Sequence, residues 1–314
     1  MIDLRVTIGN ITFDNPVLVA SGTFGYGDES ADLVPLDRLG GIVTKSLSLK
    51  PRDGNPPPRI AETASGMLNS IGLANIGVRK FIDDKLPFLR TLKTRIVVNV
   101  AAGTIDEYCT IVETLDAQEG IDGYEINVSC PNVREGGLSF GTDCKLTGEI
   151  TRRLRAITRR TLIIKLTPNV TRVADFARTV AGEGADAVSL INTVIGMAIN
   201  VHTRKPKLST TTGGLSGPAI KPIALAKVYE VAQAVSLPVI GIGGILTAED
   251  AMEFILAGAS AVQVGTANFI DPATGVRIVD GLESYCMTHK IPTIRQLIGA
   301  VETSKEHSVL QSWL

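Results

Sequence analysis

Eight short runs rich in β-branched residues recur along this chain, at 17–20, 42–46, 96–100, 124–129, 162–167, 187–192, 238–243 and 261–266. Each has the length of a strand and is apolar enough to be covered on both faces. Between most of them lie segments with helical spacing of apolar residues, at 106–119, 146–159, 173–183, 223–235 and 248–257. Strands alternating with helices in this way form βαβ crossovers and a parallel sheet. Eight such units close the sheet on itself, so the pattern predicts an α/β chain folded as a TIM-type (β/α)8 barrel. An open doubly wound sheet is the alternative. A barrel with insertions accommodates residues 1–314 as one domain.

The punctuation agrees with this parse. Residues 4–13 alternate around Gly9-Asn10, which predicts a β-hairpin ahead of the barrel with type II′ geometry at its turn. Thr247 suits the cap of the helix after the seventh strand and Gly258 its end, while Gly217-Pro218 places proline at a first helical position. Two connections, 47–95 and 193–237, are too long for plain loops and are expected to build the rim of an active site.

Lys plus Arg number 31 against 32 Asp plus Glu. Without a basic excess there is no electrostatic reason to expect nucleic acid or an anionic membrane as partner. The N-terminus lacks the zones of a signal peptide and no apolar run reaches spanning length, so a cytoplasmic location is expected. The four cysteines, Cys109, Cys130, Cys144 and Cys286, include no CxxC pair, and His202, His289 and His307 are scattered. No metal site built by this chain is expected.

Barrel active sites lie where the strands end, so polar residues that close apolar strands carry the functional signal. Here they are Ser21-Gly22, Lys45-Ser46, Asn99, the run Asn127 to Asn132, Lys165, Asn192-Thr193, Gly243-Gly244 and Gly265-Thr266. Amides with fixed positive charge suit a flat, anionic, amide-bearing ligand. Glycines closing the last two strands, with Gly213-Gly214 and Gly217 nearby, admit a phosphate against backbone N–H groups or serve only as turns. Lys45 and Lys165 admit two chemistries: stabilisation of an anionic intermediate or reduced flavin, or a Schiff base as in barrel aldolases. Cys130 ends a strand before Pro131, where its sulfur can act as base or nucleophile, and 131–144 reads as an active-site lid. Cys109 and Cys286, on helical segments, read as small core residues.

Several stretches together resemble the dihydroorotate dehydrogenases of the cysteine-dependent, cytosolic class (class 1), and within it the catalytic subunit of the NAD-linked subclass (class 1B). They are Asn15-Pro16, the run Ala20 to Gly25, Gly54 to Arg59, ETASGMLNSIGLAN at 62–75, NVSCPN at 127–132, and Thr212 to Pro222. The similarity covers nearly the whole chain, with residues 304–314 lacking a counterpart.

That resemblance implies FMN-dependent oxidation of dihydroorotate to orotate in pyrimidine (UMP) biosynthesis. Cys130 would remove the C5 proton while the C6 hydride passes to FMN. Orotate would be held at Lys45, Asn69, Ile71, Gly72, Leu73, Asn127, Asn132, Asn192 and Thr193. FMN would be held at Ser21, Lys45, Ser46, Asn99, Asn127, Lys165 and Ile191, with its phosphate at Gly217, Gly243, Gly244, Gly265 and Thr266. The chain carries neither clustered cysteines for an iron–sulfur centre nor a GxGxxG motif after a strand. The subclass resemblance therefore implies a partner subunit with FAD and a 2Fe–2S cluster that delivers electrons to NAD, in a heterotetramer built on a homodimer of this chain. A fumarate-linked dihydroorotate dehydrogenase, a related dihydropyrimidine dehydrogenase, and an aldolase using Lys45 or Lys165 are the alternatives.

Overall fold

The computed structural model describes residues 2–129, 134–135 and 138–303; of 134–135 and 138–139 it describes the backbone alone. Eight parallel strands close into a barrel in chain order: β1 (Val17–Val19), β2 (Gly41–Val43), β3 (Arg95–Val100), β4 (Gly123–Asn127), β5 (Thr161–Lys165), β6 (Ala187–Leu190), β7 (Val239–Ile242) and β8 (Ala259–Val264). β8 pairs back onto β1 through Val262 opposite Val17, which completes the ring. The strands read VLV, GIV, TLIIK or VIGI because helices cover the outside and side chains fill the inside, so neither face meets water.

The helices follow from their apolar stripes. In Ile105–Asp116, Tyr108, Ile111, Val112 and Leu115 are buried at the i, i+3, i+4, i+7 spacing that one face requires, and Thr104 caps the helix by accepting from Glu107 N at 3.1 Å. Thr247 and Asp250 form a reciprocal capping box on Ala248–Leu256, and Gly258 follows that helix at φ +115°. Pro218 opens a helical turn, Pro218–Ile220, that runs into Lys221–Ala232.

The hairpin Val6–Ile8 with Ile11–Phe13 turns at Gly9, φ +56°. It closes the end of the barrel where strands begin, since Asn10 N donates to Thr161 Oγ1 at 2.9 Å at the start of β5. Ile8 and Phe13 are fully buried there. The opposite end, where strands finish, is the open mouth.

Over that mouth the two long insertions do more than form loops. Ile60–Thr63 and Gly66–Asn69 from the first join Val194–Met197 and Thr212–Ser216 from the second in a four-stranded antiparallel sheet. Of the proposed lid, the described parts are a two-residue ladder, Arg134–Glu135 with Leu138–Ser139, and the helical turn Phe140–Thr142 with Phe140 buried, leading into the helix Cys144–Ile157, which Asp143 caps. Among the described residues, no helix is long and apolar enough to cross a membrane.

Candidate active site

A cavity of about 900 Å3 occupies the mouth, bounded below by the strand ends and above by the rim sheet. It lies at the upper end of the roughly 300–1,000 Å3 of small-molecule sites. The expected residues converge on it from nearly every barrel strand. Ser21, Lys45, Ser46, Asn127, Lys165, Ile191, Asn192, Thr193, Gly243, Gly244, Gly265 and Thr266 all line it, as do Asn69, Ile71, Gly72, Leu73 and Gly217 from the insertions. Cys130 and Asn132 lie outside the described residues.

Asn99 is placed differently from its companions. It is fully buried one layer below the cavity, where its Nδ2 donates to Glu125 Oε2 at 3.1 Å. Its position on β3 opposite Glu125 on β4 aims both side chains into the barrel interior.

The amides are held by one another. Asn192 Nδ2 donates to Asn127 Oδ1 at 3.3 Å, Ser129 N donates to the same oxygen at 3.1 Å, and Thr193 N donates to Asn192 Oδ1 at 2.8 Å. Tyr108 Oη donates to the Asn127 carbonyl at 2.7 Å, tying strand β4 to the helix behind it. These bonds fix the faces that the amides present to a ligand, so little side-chain freedom remains to be lost on binding. Asn69 is set from above, its Nδ2 donating to Gly214 O at 3.3 Å.

The two lysines differ in their surroundings. Lys165 is nearly buried and reaches Ser21 Oγ at 3.2 Å and Glu125 Oε2 at 3.3 Å. Lys45 has no carboxylate within ion-pair distance among the described residues. Burial holds its ammonium below the ordinary lysine range; Glu29 acts against that shift and Arg59 with it. A partly buried ammonium with no carboxylate beside it among the described residues suits an incoming anion.

The glycines at the far side of the cavity leave room for a ligand's charged end. Gly244 has φ +72°, and a Cβ there would lie 2.8 Å from Lys221 Cβ and 2.9 Å from Gly217 O, so only glycine brings the backbone this close. At Gly265 the nearest atom to such a Cβ is Ala20 Cβ at 3.7 Å, and at Gly22 nothing lies within 4 Å. Side chains at either place would take up cavity space.

Glu125 is the residue that sequence reading did not single out. It sits in the strand GYEIN, fully buried, and its two oxygens accept from Ser189 Oγ (3.3 Å), Gln263 Nε2 (2.9 Å), Asn99 Nδ2 (3.1 Å) and Lys165 Nζ. The available signal was a carboxylate inside an otherwise apolar strand, two residues before Asn127 and so on the same face.

With this geometry in view, comparison with known proteins is specific. The profile of the dihydroorotate dehydrogenase family matches residues 3–286. A "Dihydroorotate dehydrogenase B (NAD(+)), catalytic subunit" from Geotalea uraniireducens (strain Rf4) is 54% identical over 301 residues, covering 96% of this chain and 99% of its own. A protein of the same name from Bacteroides thetaiotaomicron is 49% identical over 302 residues, covering 96% and 100%. Among solved structures, that of DHODH from Eimeria tenella in complex with ferulenol aligns with TM-score 0.77 at 25% identity, over 95% of this chain and 88% of that one. A match this nearly complete in both sequence and fold leaves no part of the barrel unaccounted for: the chain belongs to the dihydroorotate dehydrogenase family.

Proposed function

We propose that this chain is a single FMN-binding barrel domain that oxidises dihydroorotate to orotate in UMP synthesis, working in the cytoplasm. The observation that carries the reading is the convergence on one cavity of Lys45 and the amides of Asn69, Asn127 and Asn192 beside the glycines Gly243, Gly244 and Gly265. The amides complement the donors and acceptors of a pyrimidine, and Lys45 complements its carboxylate.

The residues fit FMN. Glycines with room for a Cβ border the cavity, Gly244 at positive φ brings backbone N–H groups close enough for a phosphate, and Lys165 presents a cation from the strand ends. Ser21, Ser46, Asn127, Ile191, Gly217 and Thr266 would complete the site, with Asn99 supporting it from below. Bound there, FMN supplies a hydride acceptor. Lys45, Asn69, Ile71, Gly72, Leu73, Asn127, Asn132, Asn192 and Thr193 orient the substrate, and Cys130 takes the C5 proton. The rim sheet limits the access of water to the reacting atoms.

The relatives' name, catalytic subunit of an NAD(+) enzyme, supports a separate electron-transfer subunit. On our reading that partner carries FAD and a 2Fe–2S cluster, and two of each subunit assemble around a homodimer of this chain. The decisive experiment mixes the purified protein anaerobically with dihydroorotate, follows flavin absorbance, then adds NAD with and without the partner, or fumarate. Bleaching by dihydroorotate, with reoxidation by NAD only in the partner's presence, is expected. A colourless protein, or a flavin that dihydroorotate leaves oxidised, overturns the reading.

A further inference from the structure

The polar layer beneath the cavity is unusual for a barrel interior, which is ordinarily filled by branched apolar side chains. Asn99 on β3, Glu125 on β4, Lys165 on β5, Ser189 on β6 and Gln263 on β8 meet there; Glu125 is their common acceptor, and all but Lys165 are fully shielded from solvent. Glu125 does not border the cavity, so it cannot touch a ligand. Its two oxygens already accept four hydrogen bonds, the full capacity of a carboxylate, which leaves no acceptor site for a donor on a ligand. Of the layer, Lys165 also lines the cavity, so it is the member through which Glu125 bears directly on a ligand's surroundings.

Lys165 has three N–H groups. One is directed to Ser21 Oγ and one to Glu125 Oε2, so the third remains for the cavity and its direction is set by the other two. The carboxylate also places a negative charge 3.3 Å behind the ammonium, which weakens the positive field that Lys165 projects into the cavity.

We propose that Glu125 is a positioning residue for Lys165 and that the Lys165–Glu125 pair sets the reduction potential of the bound flavin below the value the lysine alone would impose. Glu125 can do so only if a flavin sits against Lys165, as proposed above. The two ideas fail differently: a colourless wild-type protein removes the flavin site, whereas an unresponsive yellow variant removes the role of Glu125.

The test is E125Q, nearly isosteric, read by the two-electron midpoint potential of the flavin and by the dissociation constant of its sulfite adduct, neither of which requires turnover. The expected result is at least a tenfold shift toward the reduced flavin, about 30 mV upward for a two-electron couple, with sulfite bound at least tenfold more tightly. Q263M disturbs the same carboxylate while keeping its charge, and it should leave the potential at the wild-type value. Unchanged values in a folded, yellow E125Q overturn the proposal, as do equal shifts in E125Q and Q263M, because a merely structural layer would respond to both. Should E125Q fail to fold, E125D draws the charge one methylene away from Lys165 and should tighten sulfite binding by a smaller factor. No change in E125D then overturns the proposal.

Discussion

Asn69 and Gly214 lie opposite each other in an antiparallel ladder although 145 residues separate them, and Asn69 Nδ2 donates to the Gly214 carbonyl at 3.3 Å. This pairing joins the two long insertions and sets Asn69 at the roof of the cavity. Gly214 also packs against Thr193, where an added Cβ would come within 2.1 Å of Oγ1 and 2.6 Å of Cβ. G214A therefore forces Thr193, itself a cavity residue, to move. Overpacking of this kind costs about 1–3 kcal/mol. Orotate affinity should fall roughly tenfold, which corresponds to about 1.4 kcal/mol, with FMN content unchanged. Orotate titration against the flavin spectrum checks both.

Two glycines on the proposed phosphate side separate fold from binding. At Gly244, φ is +72° and a Cβ meets Lys221 and Gly217 below 3 Å, so G244A should lower stability by about 2–4 kcal/mol, from left-handed strain plus the clash. At Gly265 a Cβ makes only ordinary contact, 3.7 Å from Ala20. G265A should leave the melting temperature of the flavin-free protein within a degree or two of wild type while weakening FMN binding at least tenfold. Calorimetry of the apoprotein together with FMN titration distinguishes them, and an unaltered FMN affinity in G265A would remove that glycine from the site.

Lys45 makes orotate binding pH-dependent. Burial disfavours its charged form, so its proton leaves at lower pH than the ordinary lysine value of 10.5. In stability terms the cost of burying the cation is present at neutral pH and disappears as pH rises through the depressed value towards the unfolded one. Binding of an anion runs the other way, since it needs the cation. Orotate affinity should be full near neutrality and decline on the alkaline side beginning below pH 10.5. K45M should lose about tenfold to a hundredfold in affinity, the worth of a charged hydrogen bond of about 1.5–3 kcal/mol, and its alkaline decline should vanish. A Kd profile across the alkaline range measures both features.

C130A should keep its yellow colour and its orotate affinity while flavin reduction by dihydroorotate slows about 10²–10⁴-fold, the usual contribution of a positioned general base. Single-turnover stopped-flow with dihydroorotate gives that rate directly. Wild-type reduction rates in C130A would move the base elsewhere.

Much of this molecule is legible in local pattern. The eight runs from 17–20 to 261–266 each overlap a barrel strand, some strands beginning one or two residues earlier, and Thr247, Pro218 and Gly9 sit at the cap, first turn and hairpin that their chemistry suggests. Burial on both faces leaves its mark on the strand itself, and the rule that chemistry collects where strands end turns Ser21, Lys45, Asn127, Lys165 and Asn192 into one group before any coordinates exist. Those signals are short-range, because side-chain alternation and helical period are properties of neighbours in sequence.

What the tertiary structure alone decided is who meets whom across the barrel. The insertions read as segments of an active-site rim, but that they share one sheet through Asn69 and Gly214 has no local signature. Asn99 reads as one more strand-end amide, yet closure of the ring sets it a layer lower, against Glu125. Glu125 itself shows as a lone carboxylate in an apolar strand, and only the stagger of the closed barrel brings Lys165, Ser189 and Gln263 around it. The physical reason is that closure couples residues from five strands at once, and the energy of a buried charge depends on those neighbours rather than on the strand that carries it.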